Sequence, residues 1–158
     1  MKIVYLIIVV GAVVFFYMQY SARTKGSMTE NAEKGQLFLE SNSQLEDVKT
    51  TASGLQYQVL TVGTGTVHPK ASDRVKVHYH GTLTDGMVFD SSVDRGEPIE
   101  FGLNQVIKGW TEGVQLMVVG EKTRFVIPSN LAYGNRSAGA IGPGSVLVFE
   151  VELLGINE

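Results

Sequence analysis

The chain of 158 residues contains no cysteine. Disulfides, thiolate nucleophiles and cysteine-ligated zinc or iron–sulfur centres are therefore excluded. The absence fits an oxidising compartment without demonstrating one. Charge of one sign is scarce as well: 13 basic against 16 acidic side chains leave a net charge of −3. That balance offers no electrostatic footprint for nucleic acid, so no nucleic-acid partner is expected. There are three histidines. His78 and His80 flank Tyr79 on a strand-like run and point away from it. With no third ligand in view they read as a solvated face, not a metal pair. His68 precedes Pro69 in a loop. Gly63-Thr64-Gly65 lacks the third glycine and the following helix of a nucleotide loop. Ser91 and Ser92 lack a nucleophile-elbow context and a base. Repeats and low-complexity tracts are absent too. The chain is thus poor in acids, bases and nucleophiles at any one place, and neither a metal nor a cofactor is expected.

One long hydrophobic run does exist. From Ile3 to Met18 every residue is apolar, glycine or aromatic. A run of this length can span a bilayer as a helix, and Tyr5, Tyr17 and Tyr20 suit its interfacial ends. Residues 1–22 are therefore expected to form a transmembrane signal anchor. A cleaved signal peptide is the alternative, but a cut after Ala22 would put the bulky Tyr20 at the −3 position. Lys2 on one side and Arg23 with Lys25 on the other nearly balance, so charge does not fix the orientation.

Residues 23–52 read as a polar linker. Within it Asn31 to Glu40 forms a short amphipathic helix, with Asn31 as N-cap and an apolar face of Leu37 and Phe38. Ser41 to Gly54 continues the linker. The globular part is expected over 53–158, where the period switches to two. Leu55, Tyr57 and Val59 alternate with glutamines; Val75, Val77 and Tyr79 alternate with Lys76, His78 and His80. Thr123 to Ile127 and Val146 to Leu154 complete the strand runs. Asp85-Gly86 marks a turn, and Pro128 should end a strand. Trp110, Val114 and Met117 stand at helical spacing and predict one short helix with an apolar stripe. The fold class is α+β, a mostly antiparallel sheet with one helix on a single face. The glycine-rich segment from Ala132 to Ser145 is expected to be a long, functional surface loop.

Tyr79, Phe89, Phe101, Trp110, Tyr133 and Phe149, with Val106, Ile107 and Ile141, converge as an aromatic-walled apolar pocket. Each taken singly could be ordinary core. Two details favour a site. Asp90 follows Phe89 in an apolar neighbourhood and needs partners, which Arg95 and the Tyr79 hydroxyl can supply. Tyr133 is a bulky aromatic in a glycine-rich loop, a position suited to a pocket mouth. A site so poor in proton-transfer groups suits a reaction without covalent intermediates, such as rotation about a peptide bond.

Five ordered segments then carry a resemblance: Val77 to Leu83, Gly86 to Ser92, Val106 to Trp110, Ile127 to Gly134 and Leu147 to Leu153. Together they resemble the FKBP-type peptidyl-prolyl cis–trans isomerases across residues 53–155. Ser53 to Tyr57, Leu103 to Ile107 and the helix near Asn31 are similar to the bacterial envelope branch related to the macrophage infectivity potentiator. The resemblance implies a five-stranded antiparallel half-barrel wrapped around a short helix, preceded here by the transmembrane helix. It implies an isomerase that assists protein folding, acting on proline-containing polypeptides and inhibited by macrolides. Trp110 would be the pocket floor, with Tyr79, Phe89, Phe101 and Phe149 as walls and Val106, Ile107 and Ile141 at the mouth. The Ile107 N–H and the Tyr133 hydroxyl would hold substrate carbonyls. Asp90 would face the reacting amide, steadied by Tyr79 and Arg95. Ile99 stands where many members carry an aromatic residue, and Gln105 where some carry glutamate. The loop from Tyr133 to Ile141 is one residue shorter than in small members, and Ala138 or Gly139 falls where those have histidine. With the anchor, the resemblance places the protein in a bacterial inner membrane, single-pass, its catalytic domain periplasmic. Signal cleavage would instead leave it free in the periplasm. A tethered proline-peptide-binding chaperone or adaptor with little turnover is the alternative function.

Overall fold

A computed structural model describes residues 2–158; the side chains of 2–11 and 24–26 lie outside the described residues. No proline interrupts the first part of the chain, and it forms one helix, α1 (Lys2–Ser43). A short strand β1 (Lys49–Thr50) follows, then β2 (Gln56–Thr61) and β3 (Arg74–Leu83). The Asp85-Gly86 turn, with Gly86 at φ 90°, leads into β4 (Val88–Ser91). One helical turn, α2 (Ser92–Arg95), separates β4 from β5 (Ile99–Gly102). Then come α3 (Lys108–Val114), β6 (Lys122–Ile127) and β7 (Leu147–Ile156). Pro128 directly follows β6, where its missing N–H ends the ladder.

The strands form one antiparallel sheet in the order β1-β2-β6-β7-β3-β4, with β5 also paired to β3. The sheet has seven strands among the described residues, which corrects the expected five. Two causes account for the difference. The edge beside β3 is split in two, because Ser91 caps α2 and Gly96 ends it in a left-handed conformation at φ 75°. Lys49–Thr50 is too short to display a period of two.

The concave face holds the core. Val75, Val77 and Tyr79 of β3 alternate inward, and Phe125, Phe149, Val151 and Leu153 join them around α3. α3 approaches the sheet through its glycines. A Cβ at Gly109 would lie 2.5 Å from Ile127 Cγ2, and one at Gly113 would lie 2.7 Å from Phe125 Cε1. These glycines, one helical turn apart, let the short helix sit deep enough for Trp110 to reach the sheet.

The convex face is covered in part by α1. Phe38 and Leu39 pack on Val126, Val146 and Val148. This explains why burial in β6 and β7 stops alternating where α1 crosses them. Beside that apolar patch, Asn42 Nδ2 donates to Gln56 Oε1 at 2.7 Å and Arg124 Nη1 donates to Asn42 Oδ1 at 2.9 Å. Gln56 Nε2 in turn donates to the Leu39 carbonyl at 2.9 Å. The segment expected to start a short helix at Asn31 therefore lies inside α1, and Asn31 caps nothing. Leu37 points outward and is exposed, so the docked face is one built on Phe38 and Leu39.

The transmembrane expectation is also corrected. Among the described residues no helix is long and apolar enough to cross a membrane. The apolar run from Ile3 to Met18 would cover only about 24 Å as a helix, against a hydrocarbon core of about 30 Å. The side chains of Ile3 to Gly11 lie outside the described part of the structure, as do those of Lys2 and Lys25, which bore on orientation. The single-pass inner-membrane placement and the membrane as a partner fall with the anchor.

Candidate active site

The concave face opens in a cleft of about 760 Å³ between the sheet, α3 and the β6–β7 loop. Each element contributes by its own geometry. β3 supplies Tyr79, β4 supplies Phe89 and Asp90, and the paired edge strand β5 supplies Ile99 and Phe101. The approach to α3 brings Val106 and Ile107, and α3 itself brings Trp110. Phe149 comes from β7, and Tyr133 with Ile141 from the β6–β7 loop. Arg95 does not line the cleft. It stands on α2 and reaches Asp90 from behind.

Trp110 lies at the bottom, 6% exposed. Tyr79 and Phe149 meet it nearly edge-on at centroid distances of 5.2 and 5.1 Å, and Phe101 is tilted against it at 5.4 Å. Phe89 meets Phe149 in the same edge-on manner at 5.3 Å. Such pairs add about 0.5–1.5 kcal/mol each beyond their buried area, which fixes the ring orientations. The Trp110 Nε1 proton is buried, with no hydrogen-bond partner among the described residues. Tyr133, by contrast, is 40% exposed at the rim.

The polar content of the cleft is concentrated in one closed set of hydrogen bonds. The Tyr79 hydroxyl donates to one Asp90 oxygen, and Arg95 Nη1 donates to the other. Arg95 Nη2 also donates to the Tyr79 hydroxyl oxygen at 3.1 Å. Burial raises the Asp90 carboxyl, but the hydrogen bonds from Tyr79 and Arg95 outweigh it and hold the group below its ordinary value. Burial, together with the hydrogen bond to Asp90, pushes the Tyr79 phenol above its ordinary value. The Arg95 guanidinium is held charged by hydrogen bonds to Tyr79 and Asp90. All three groups thus stay in one protonation state near neutrality, and none is poised to transfer a proton.

Ile107 is the N-cap of α3, so its own N–H precedes the helical ladder. Several contributors escaped the sequence reading. Gly81 lets two walls meet: a Cβ there would lie 2.7 Å from Phe149 Cε1 and 2.8 Å from Phe89 Cζ. A glycine inside a strand pattern was the available signal. Ser91 Oγ accepts from Asp94 N at 3.1 Å, which builds the turn that carries Arg95. Ser92 Oγ accepts from Tyr79 N at 2.7 Å and bonds His78 Nδ1 at 2.6 Å. The serines position the site. Glu100 at the lip, Gln105 before Val106 and Ala138 in the loop complete the lining; Glu100 carried no sequence signal.

Comparison with known proteins agrees with this geometry. The family model described as FKBP-type peptidyl-prolyl cis-trans isomerase matches residues 65–154. That of the domain amino terminal to FKBP-type peptidyl-prolyl isomerase matches residues 11–59. The chain belongs to the FKBP-type peptidyl-prolyl cis–trans isomerase family. It is 61% identical over 137 residues to the FKBP-type isomerase FkpA of Aeromonas hydrophila, covering 87% of this chain and 51% of that protein. It is 43% identical over 139 residues to the outer membrane protein MIP of Legionella longbeachae, covering 87% of this chain and 59% of that protein. The crystal structure of FkpA from Escherichia coli superposes with a TM-score of 0.87 at 41% identity, over 94% of this chain and 71% of that one. The chain spans about half the length of the curated relatives it matches.

Proposed function

We propose that this chain is itself a peptidyl-prolyl cis–trans isomerase, acting on proline-containing polypeptides in their folding, with its catalytic unit over 53–158. The observation that carries this is the cleft's chemistry: an aromatic floor and walls beside which the Asp90 carboxylate is fully engaged by Tyr79 and Arg95. Rotation of an X–Pro bond faces a barrier of about 18–20 kcal/mol that arises from lost amide resonance. No proton moves and no covalent bond forms.

The proline ring stacks on Trp110, between Tyr79, Phe101 and Phe149. Phe89 closes the wall beside the bond being turned. In the twisted transition state the carbonyl is less polarised than in the planar amide. A cleft this apolar therefore disfavours the planar ground state more than the twisted form. Substrate carbonyls are held by the Ile107 N–H and the Tyr133 hydroxyl, which fixes the flanking chain while one bond turns. Asp90 faces the reacting amide as a fixed dipole acceptor with Arg95 behind it. Ile99, Val106 and Ile141 receive the residues on either side of proline, and macrolide inhibitors would compete for the same surface.

A protease-free isomerisation assay on an X–Pro peptide tests this. Phe89→Ala, Asp90→Leu and Tyr133→Ala each lower kcat/KM by about tenfold or more while far-ultraviolet circular dichroism is unchanged. Full activity in all three variants would refute the site assignment. Peptide binding without turnover in the unaltered chain would favour the adaptor reading instead.

A further inference from the structure

The cleft wall carried by the β6–β7 loop is backed by α1. Met28, Asn31, Ala32 and Gly35 fall on one stripe of that helix, and the loop lies along the stripe. Asn31 Nδ2 donates to the Pro143 carbonyl at 2.9 Å. A Cβ at Gly142 would lie 2.8 Å from Asn31 Nδ2, and one at Gly144 would lie 3.0 Å from the Met28 carbonyl. On the helix side, a Cβ at Gly35 would lie 2.6 Å from Val146 Cγ2. Glycine on both surfaces brings the two backbones close.

The other side of the same loop is the cleft. Ile141, 5% exposed, belongs to the main core and lines the wall. Its N–H and carbonyl bond the carbonyl and N–H of Ala138, both at 2.9 Å. Gly144 N donates to the Gly134 carbonyl at 2.8 Å, next to Tyr133. Between Asn31 and the substrate surface there is thus one layer of peptide. Within the loop, Ser145 Oγ donates to the Gly142 carbonyl at 2.8 Å, and Asn31 is the helix side chain that bonds the adjoining Pro143 carbonyl.

We propose that Asn31 is a positioning residue for this wall, so that α1 sets how tightly the cleft holds its polypeptide substrate. The inference rests on the isomerase reading of the cleft. Asn31 bonds the loop and is not part of the Tyr79–Asp90–Arg95 set, so its effect falls on substrate binding more than on bond rotation.

Kinetics of the full chain on an X–Pro peptide provide the test. Asn31→Ala raises KM about threefold to tenfold, with kcat changed less than about twofold. Gly142→Ala, whose new methyl takes the place of the Asn31 amide, raises KM similarly. The double variant is no worse than either single one, because both act through one contact. A purely structural role would reduce the folded fraction, lowering kcat and leaving KM alone. An unchanged KM in Asn31→Ala, or additive effects of the two substitutions, would overturn the proposal. If the unaltered chain turns over no X–Pro peptide, the isomerase reading fails separately. Amide exchange at Ala138 and Ile141 then reads the same cycle: non-additive loss of protection sustains the coupling, and additive loss ends it.

Discussion

The sheet is covered by helices on both faces, and the two coverings are built differently. On the concave side α3 is seven residues long and enters through Gly109 and Gly113, surrounded by rings and fully buried aliphatics. On the convex side α1 lies over a small patch of three valines, and much of its attachment is made by Asn31, Asn42, Gln56 and Arg124. The first interface is held by the hydrophobic effect and shape. The second is held by a few amide and guanidinium hydrogen bonds whose net worth is about 0.5–1.5 kcal/mol each. A short helix can therefore be integral to the domain while a long one is only moored to it.

Substitutions that separate the two interfaces sharpen the contrast. Phe125→Ala strikes the concave side and should cost about 3–5 kcal/mol, seen as a large drop in the urea midpoint. Asn42→Ala strikes the convex side; it leaves the Gln56 Oε1 without its donor and should cost about 1–3 kcal/mol. If Asn42→Ala proved the more damaging of the two, α1 would be integral after all.

Acid provides a third, smaller probe, confined to the concave side. The folded Asp90 carboxyl is held below its ordinary value, so its contribution to stability is fully present above the ordinary carboxylate range. It is lost as the pH falls through the lowered folded value. Asp90→Asn should flatten that part of the stability–pH curve, lowering the neutral-to-alkaline plateau while converging on the unaltered chain at low pH. The smallest effect is expected on the far side of the mooring. Removal of residues 1–26 leaves Met28 to Asn42 against the sheet and should shift the unfolding free energy by less than about 0.5 kcal/mol.

The same contrast decides what could be read from the sequence. The concave side was legible because a period of two in β3 and the spacing of Trp110, Val114 and Met117 are strong local signals. The aromatic residues and Asp90 followed from the same runs. The convex side was not. Val126, Val146 and Val148 interrupt the alternation, and without α1 in place such a run reads as any buried strand. Asn31 and Asn42 look like cap and linker residues because their partners, Pro143 and Arg124, are far away in the chain. The split edge of β4 and β5 was hidden for a related reason: the two serines that build α2 read as failed nucleophiles. The apolar run before Arg23 was the misleading signal, since uninterrupted hydrophobicity in sequence does not by itself provide a membrane-spanning length.

Trp110 has one more consequence. It is the only tryptophan of the chain, and it is buried among three rings with no partner for its N–H among the described residues. The indole emission of the whole protein therefore comes from the floor of the cleft, shielded from bulk water and from hydrogen-bonding quenchers. Any molecule that settles on that floor reports itself as a change in colour or intensity, against no background from elsewhere. The protein carries its own optical gauge of occupancy, located where the proline ring would rest.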